Sequence, residues 1–160
     1  SRVQILEGDL DQALPVEAES VDAIMSVAAL HWLAHHNNVW QHFYNALKPG
    51  GRLATDCGGF GNLEKTLALV PQIDPNIKFP NWYYANVSDT EALLKAAGFV
   101  DIEVSLRPHP TPLPDKETLA TYLKTLVFRE WNDDQIAKMS ELLTDNTLDY
   151  VRLEVRARKA

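Results

Sequence analysis

His31 and Trp32 are the residues of this chain best suited to chemistry. An unperturbed imidazole ionises near pH 6.5, so His31 is the best candidate for a general base at neutral pH. The indole beside it offers a flat apolar wall. The pair follows residues 21–27 (VDAIMSV), a nearly unbroken apolar run that reads as a strand covered on both faces. In open α/β sheets, ligands bind beyond the carboxyl ends of the strands. Ser26, Val27 and Ala28 therefore lie where main-chain groups would meet a ligand. Trp82, Tyr83 and Tyr84 form a second aromatic group in an irregular stretch. Such a loop is either a binding wall or a satellite cluster anchoring itself. Four histidines (31, 35, 36 and 42) invite a metal reading. A helix cap at Asn37 or Asn38 separates His31 from a shared helix face, and no cysteine or acidic partner is near, so no metal site is expected. Cys57 closes a buried strand and reads as a structural thiol.

The elements around these residues alternate in type. Residues 2–6 (RVQIL) predict a short strand, with Asp9 in its exit turn. A helix from Asn37 or Asn38 to about Lys48 turns Val39, Trp40, Phe43 and Leu47 to one face. Pro49-Gly50-Gly51 stops it and starts a strand at 52–57. A short helix is expected at 63–70 and a capped one from Ser88 to Ala97, with Glu91 completing a capping box and Gly98 closing it. A strand follows at 100–106, and then a linker at 107–115 with four prolines. Helices at 116–129 and 133–143, the second capped by Asn132, precede a final strand at 149–158. That strand alternates Val151, Leu153, Val155 and Ala157 against Arg152, Glu154, Arg156 and Arg158. The arginine face reads as solvated. Strands separated by helices define a parallel α/β sheet.

The chain has 160 residues and a formal charge of −7, which disfavours general binding to a phosphate backbone. No apolar run approaches the length of a membrane span. The single cysteine excludes an internal disulfide and fits a reducing, cytoplasmic compartment. The start at Ser1, directly ahead of a strand, reads as a fragment or trimmed chain.

Five stretches together resemble a known family: EGDLDQALP, VDAIMSVAALHWL, the helix ending in LKPGGRL, the loop GGFGN, and NWYYANVSDTEALLKAAGFVDIEV. They are similar to class I S-adenosylmethionine (SAM)-dependent methyltransferases of the bacterial small-molecule branch, in the style of trans-aconitate and malonyl-carrier-protein methyltransferases. DYVRLEVRARK resembles the last strand of that fold. The resemblance implies a Rossmann-like methyltransferase sheet represented by its five C-terminal strands, parallel except for an antiparallel final strand, with a helical cap. It implies one domain, with cap or substrate-side insertions at 60–87 and 107–146. The Gly-rich loop that grips the nucleoside has no counterpart here, and GGFGN follows the wrong strand to replace it.

The resemblance also implies that Asp9 and Leu10 meet the adenine of SAM, that Ser26, Val27 and Ala28 meet its methionyl part, and that His31, Trp32, Trp82 and Tyr83 line the acceptor pocket. The expected activity is SAM-dependent methyl transfer to a small molecule, with a carboxylate as candidate acceptor and His31 as the catalytic candidate. The expected partners are that small acceptor, with no nucleic acid and no membrane. A second copy, or the rest of a longer protein, would supply the missing strands. The alternative is a non-catalytic binding or assembly module. A Rossmann oxidoreductase is weaker, because it needs the absent glycine fingerprint.

Overall fold

The computed structural model describes residues 2–34, 36–77 and 82–160. His35, one member of the histidine group, and Asn81 of the aromatic stretch lie outside the described residues. The chain divides into two compact units, residues 1–60, 81–107 and 152–160, and residues 61–80 and 108–151.

The first unit is built on a four-stranded sheet. Its strands are β1 (Val21–Val27), β2 (Leu47–Gly58), β3 (Phe99–Pro108) and β6 (Val151–Lys159), in the order β1-β2-β6-β3. β1 and β2 are parallel and joined by helix α1 (His36–Ala46), while β6 runs antiparallel to β2. The sequence predicts this order of elements, but several details differ. Residues 2–6 form no strand, and Val3 and Ile5 are 74% and 92% exposed. A strand exists only as part of a ladder, and among the described residues the sheet ends at β1. β1 is not covered on both faces either, since Met25 and Val27 are 80% and 60% exposed. Helix α1 begins at His36 rather than at Asn37 or Asn38 and ends at Ala46. The register along β1 and β2 then jumps from Val21–Leu47 to Ala23–Arg52, so residues 48–51 bulge out of the ladder. Gly51 belongs there because a Cβ would stand 2.8 Å from the Lys48 carbonyl.

One face of the sheet carries the core. Leu53 and Cys57 of β2 and Leu153, Val155 and Ala157 of β6 pack with Trp40 and Phe43 of α1. Helix α3 (Val87–Ala97) adds Leu94 to this cluster. Its cap is Asn86, whose side chain accepts from the Asp89 amide at 2.8 Å, and not Ser88; Gly98 closes it in the left-handed region, as expected.

The second unit contains α2 (Glu64–Ala68), the short antiparallel pair β4 (Thr111–Pro112) and β5 (Thr147–Leu148), α4 (Lys116–Tyr122) and α5 (Asp133–Leu142). The proline-rich linker therefore holds a short strand. The helix expected at 116–129 stops at Tyr122 and continues as a π-turn, Leu123–Val127. Asn132 and Gln135 form a reciprocal capping box on α5. The carboxylate of Asp149 accepts from the Lys65 amide at 2.7 Å and the Thr66 amide at 3.1 Å, which satisfies free donors at the start of α2. Among the described residues no helix is long and apolar enough to cross a membrane.

Candidate active site

The turn after β1 positions the first site residues. The Ala28 amide donates to the Asp56 carbonyl at 2.7 Å, which extends the β1–β2 ladder by one bond. Ala28 itself turns the chain at φ 55°, a conformation that is costly for a residue with a Cβ. A short 3₁₀ turn, Leu30–Trp32, follows. It places His31 so that the Gly58 amide, at the end of β2, donates to its Nδ1 at 3.3 Å. An amide N–H can only donate, so Nδ1 is the unprotonated nitrogen and the neutral ring carries its proton on Nε2.

The aromatic residues gather on this turn. The Tyr83 amide donates to the His31 carbonyl at 3.0 Å. Trp32 meets Trp82 edge to face at 5.7 Å, and the His31 ring lies 5.4 Å from Trp32 and 6.1 Å from Tyr84. Tyr83 packs edge to face on His36 at 4.8 Å. The structure thus brings together His31, Trp32, Trp82 and Tyr83. His36 is buried as the sequence does not reveal: its Nε2 donates to the Leu30 carbonyl at 2.9 Å and anchors the turn to α1.

Asp9 and Leu10 are held by contacts apart from those of the His31 turn. Asp9 forms a local turn in which its Oδ1 accepts from the Asp11 amide at 3.0 Å. His42 of α1 donates from Nδ1 to the Leu10 carbonyl at 3.0 Å and ties that turn to the helix. Ser26 and Val27 line a shallow concavity of about 250 Å³ over β1, β2 and β6, together with Thr55, Asp56 and Glu154. The Thr55 hydroxyl is buried and has no hydrogen-bond partner among the described residues. Among those residues no group of three or more histidine, cysteine or acidic side chains is placed to hold a metal ion.

Two residues of the site escape a reading of the sequence. Arg152, expected on a solvated face, has a side chain only 16% exposed; its Nε donates to Asp56 Oδ1 at 2.6 Å. Both sit beside the His31 turn, because Arg152 pairs with Gly58 across the β2–β6 ladder. The alternation of β6 marks Arg152 as outward-facing but carries no trace of Asp56, which lies far away in sequence.

Burial, the Arg152 charge and the His36 ring hold His31 down to a pKa of about 4. Burial raises the Cys57 thiol to about 11, so it is no thiolate nucleophile at neutral pH. The His31 shift has a consequence for stability. Above about pH 6.5 folded and unfolded imidazoles are both neutral, and the residue has no effect. Below that the unfolded chain takes up a proton that the folded chain refuses until about pH 4. Stability therefore falls as pH drops through this window, by about 1–2 kcal/mol once solvent screening of the partly exposed ring is allowed for. His36, whose pKa burial also lowers, acts in the same direction. Melting temperatures of the wild type and His31→Gln between pH 7 and pH 4 check this; the variant should show the shallower decline.

A family model described as a methyltransferase domain matches residues 1–55. An uncharacterised methyltransferase of Schizosaccharomyces pombe is 28% identical over 137 residues, which cover 76% of this chain and 53% of that protein. The malonyl-[acyl-carrier protein] O-methyltransferase of Methylococcus capsulatus is 29% identical over 147 residues, or 92% of this chain and 51% of that protein. The chain thus spans about half the length of the curated relatives it matches. In structure it is similar to a protein described as a methyltransferase from Bacillus halodurans, with a TM-score of 0.70 at 15% identity, covering 99% of this chain and 78% of that one. It also resembles phosphoethanolamine N-methyltransferase 2 of Haemonchus contortus, solved with S-adenosylhomocysteine, with a TM-score of 0.55 at 21% identity over 94% of this chain and 36% of that one. The fold is the Rossmann-like fold of SAM-dependent methyltransferases. The chain is similar to such proteins in sequence over part of their length and in fold.

Proposed function

We propose that the chain takes part in SAM-dependent methyl transfer to a small acceptor that carries a carboxylate. The observation that supports this most is the gathering of His31, Trp32, Trp82 and Tyr83 at the carboxyl ends of β1 and β2. The residues present suit the cofactor in part. Asp9 offers a carboxylate to an adenine amine, and residues 26–28 offer main-chain groups beside the concavity that Ser26 and Val27 line. When bound, SAM supplies a methyl group on a sulfonium leaving group.

The protein's own task is then positioning, which is potentially worth ~7–11 kcal/mol of barrier. The aromatic group excludes water from the transfer. A carboxylate acceptor is already nucleophilic and needs no base. His31 fits that need, because a ring with a pKa of about 4 is a weak base, whereas its Nε2–H is a ready donor. In this reading the insertions at 60–87 and 107–146 serve acceptor selection. A second reading, a non-catalytic binding or assembly module, draws support from the exposed apolar face of β1 at Met25 and Val27.

Incubation with methyl-tritiated SAM and a panel of short carboxylic acids tests the first reading. Label extractable as a base-labile ester is the expected result. Bound SAM with no labelled product would favour the second.

A further inference from the structure

Arg152 stands apart from the other arginines of β6. Arg156 is exposed, and Arg158 forms a surface pair with Asp101. The Arg152 side chain is largely buried, with its Nε on Asp56 Oδ1 at 2.6 Å and Nη2 on the Asp56 carbonyl at 3.2 Å. A guanidinium has five N–H donors in a rigid fork. Asp56 occupies one edge of that fork, and Nη1 has no hydrogen-bond partner among the described residues. The remaining N–H groups are open to a further acceptor.

The position of Arg152 says where that acceptor belongs. Arg152 faces Gly58 across the ladder, and the Gly58 amide fixes His31 in the tautomer that donates from Nε2. One backbone residue therefore stands between two donors, one cationic and one neutral. From this arrangement, and resting on the methyl-transfer reading above, we propose that Arg152, oriented by Asp56, anchors the acceptor carboxylate together with the Nε2–H of His31. Asp56 offsets part of the arginine's charge, which leaves a site that attracts a monoanion without holding a bare cation. Arg152 thus determines specificity by selecting an acid over its neutral analogue.

The test uses the chain labelled with ¹⁵N-histidine and two probes, glutarate and its neutral diamide. Saturable glutarate shifts of the His31 Nε2 resonance, with no response to the diamide, are expected. Arg152→Gln should weaken glutarate binding by about tenfold or more, and Arg152→Lys should recover part of that loss. A variant that serves only the fold would change its melting temperature but not the preference for glutarate over the diamide. Equal binding of the diamide by the wild type, or tighter binding of inorganic phosphate than of glutarate, overturns the proposal even if Arg152→Gln does not fold. S-adenosylhomocysteine, followed at residues 26–28, separates the two failures. Its binding without a glutarate response sinks the anchor alone. A glutarate response without its binding supports the anchor and sinks the methyl-transfer reading.

Discussion

Replacing Trp40 with alanine should destabilise the first unit by about 3–5 kcal/mol, the upper range for loss of a buried aromatic. Trp40 is 1% exposed at the centre of the core cluster. It meets His36 and Phe43 edge to face at 5.9 and 6.0 Å, so the change removes ring contacts as well as buried area. Collapse into the gap is limited, because Leu53 and Leu153 approach from strands held by their ladders. The loss also reaches the site, since His36 holds the Leu30 carbonyl beneath the His31 turn. Trp40→Phe separates packing from polarity. The Trp40 Nε1–H is buried with no partner among the described residues, so phenylalanine removes an unsatisfied donor while keeping most of the ring. Chemical denaturation should place Trp40→Phe within about 1.5 kcal/mol of the wild type, against the full loss for alanine.

A branched side chain at Gly59 should cost about 3 kcal/mol, the top of the usual overpacking range. A Cβ there would collide with Leu106 Cδ2 and lie 2.7 Å from Leu153 Cβ. The leucine tip on β3 can turn aside, but Leu153 Cβ is fixed to a strand paired with β2. Relief must therefore come from the backbone after β2, next to Gly58 and its hydrogen bond to His31. Gly59→Val should lower the denaturation midpoint and broaden the His31 ring resonances. A valine variant with wild-type stability would show that this segment is looser than the geometry requires.

Local signals in the sequence are reliable wherever the physics is local. Gly98 ends α3 because the left-handed turn needs no Cβ, and Asn132 with Gln135 caps α5 because both partners lie within one turn. The buried face of β6 follows from simple alternation, with Leu153, Val155 and Ala157 inside. The sequence misleads where a distant partner decides. Residues 2–6 have strand-like composition, yet no ladder takes them up. Asn86 and Ser88 both suit a cap, and the earlier one wins by reaching the Asp89 amide. The π-turn at Leu123–Val127 leaves no mark in helical periodicity. His31, Trp32, Trp82 and Tyr83 follow from the family resemblance, and the structure places them in contact. Arg152 escapes notice because its partner Asp56 comes from another strand.

The central claim is that the carboxyl ends of β1 and β2 face an activated methyl group. The most direct test is amide chemical-shift mapping of the chain during titration with S-adenosylhomocysteine. Saturable shifts concentrated at Asp9, Leu10, residues 26–28 and Gly58 are the predicted result. Shifts confined to residues 116–143, or none at saturating ligand, would contradict it.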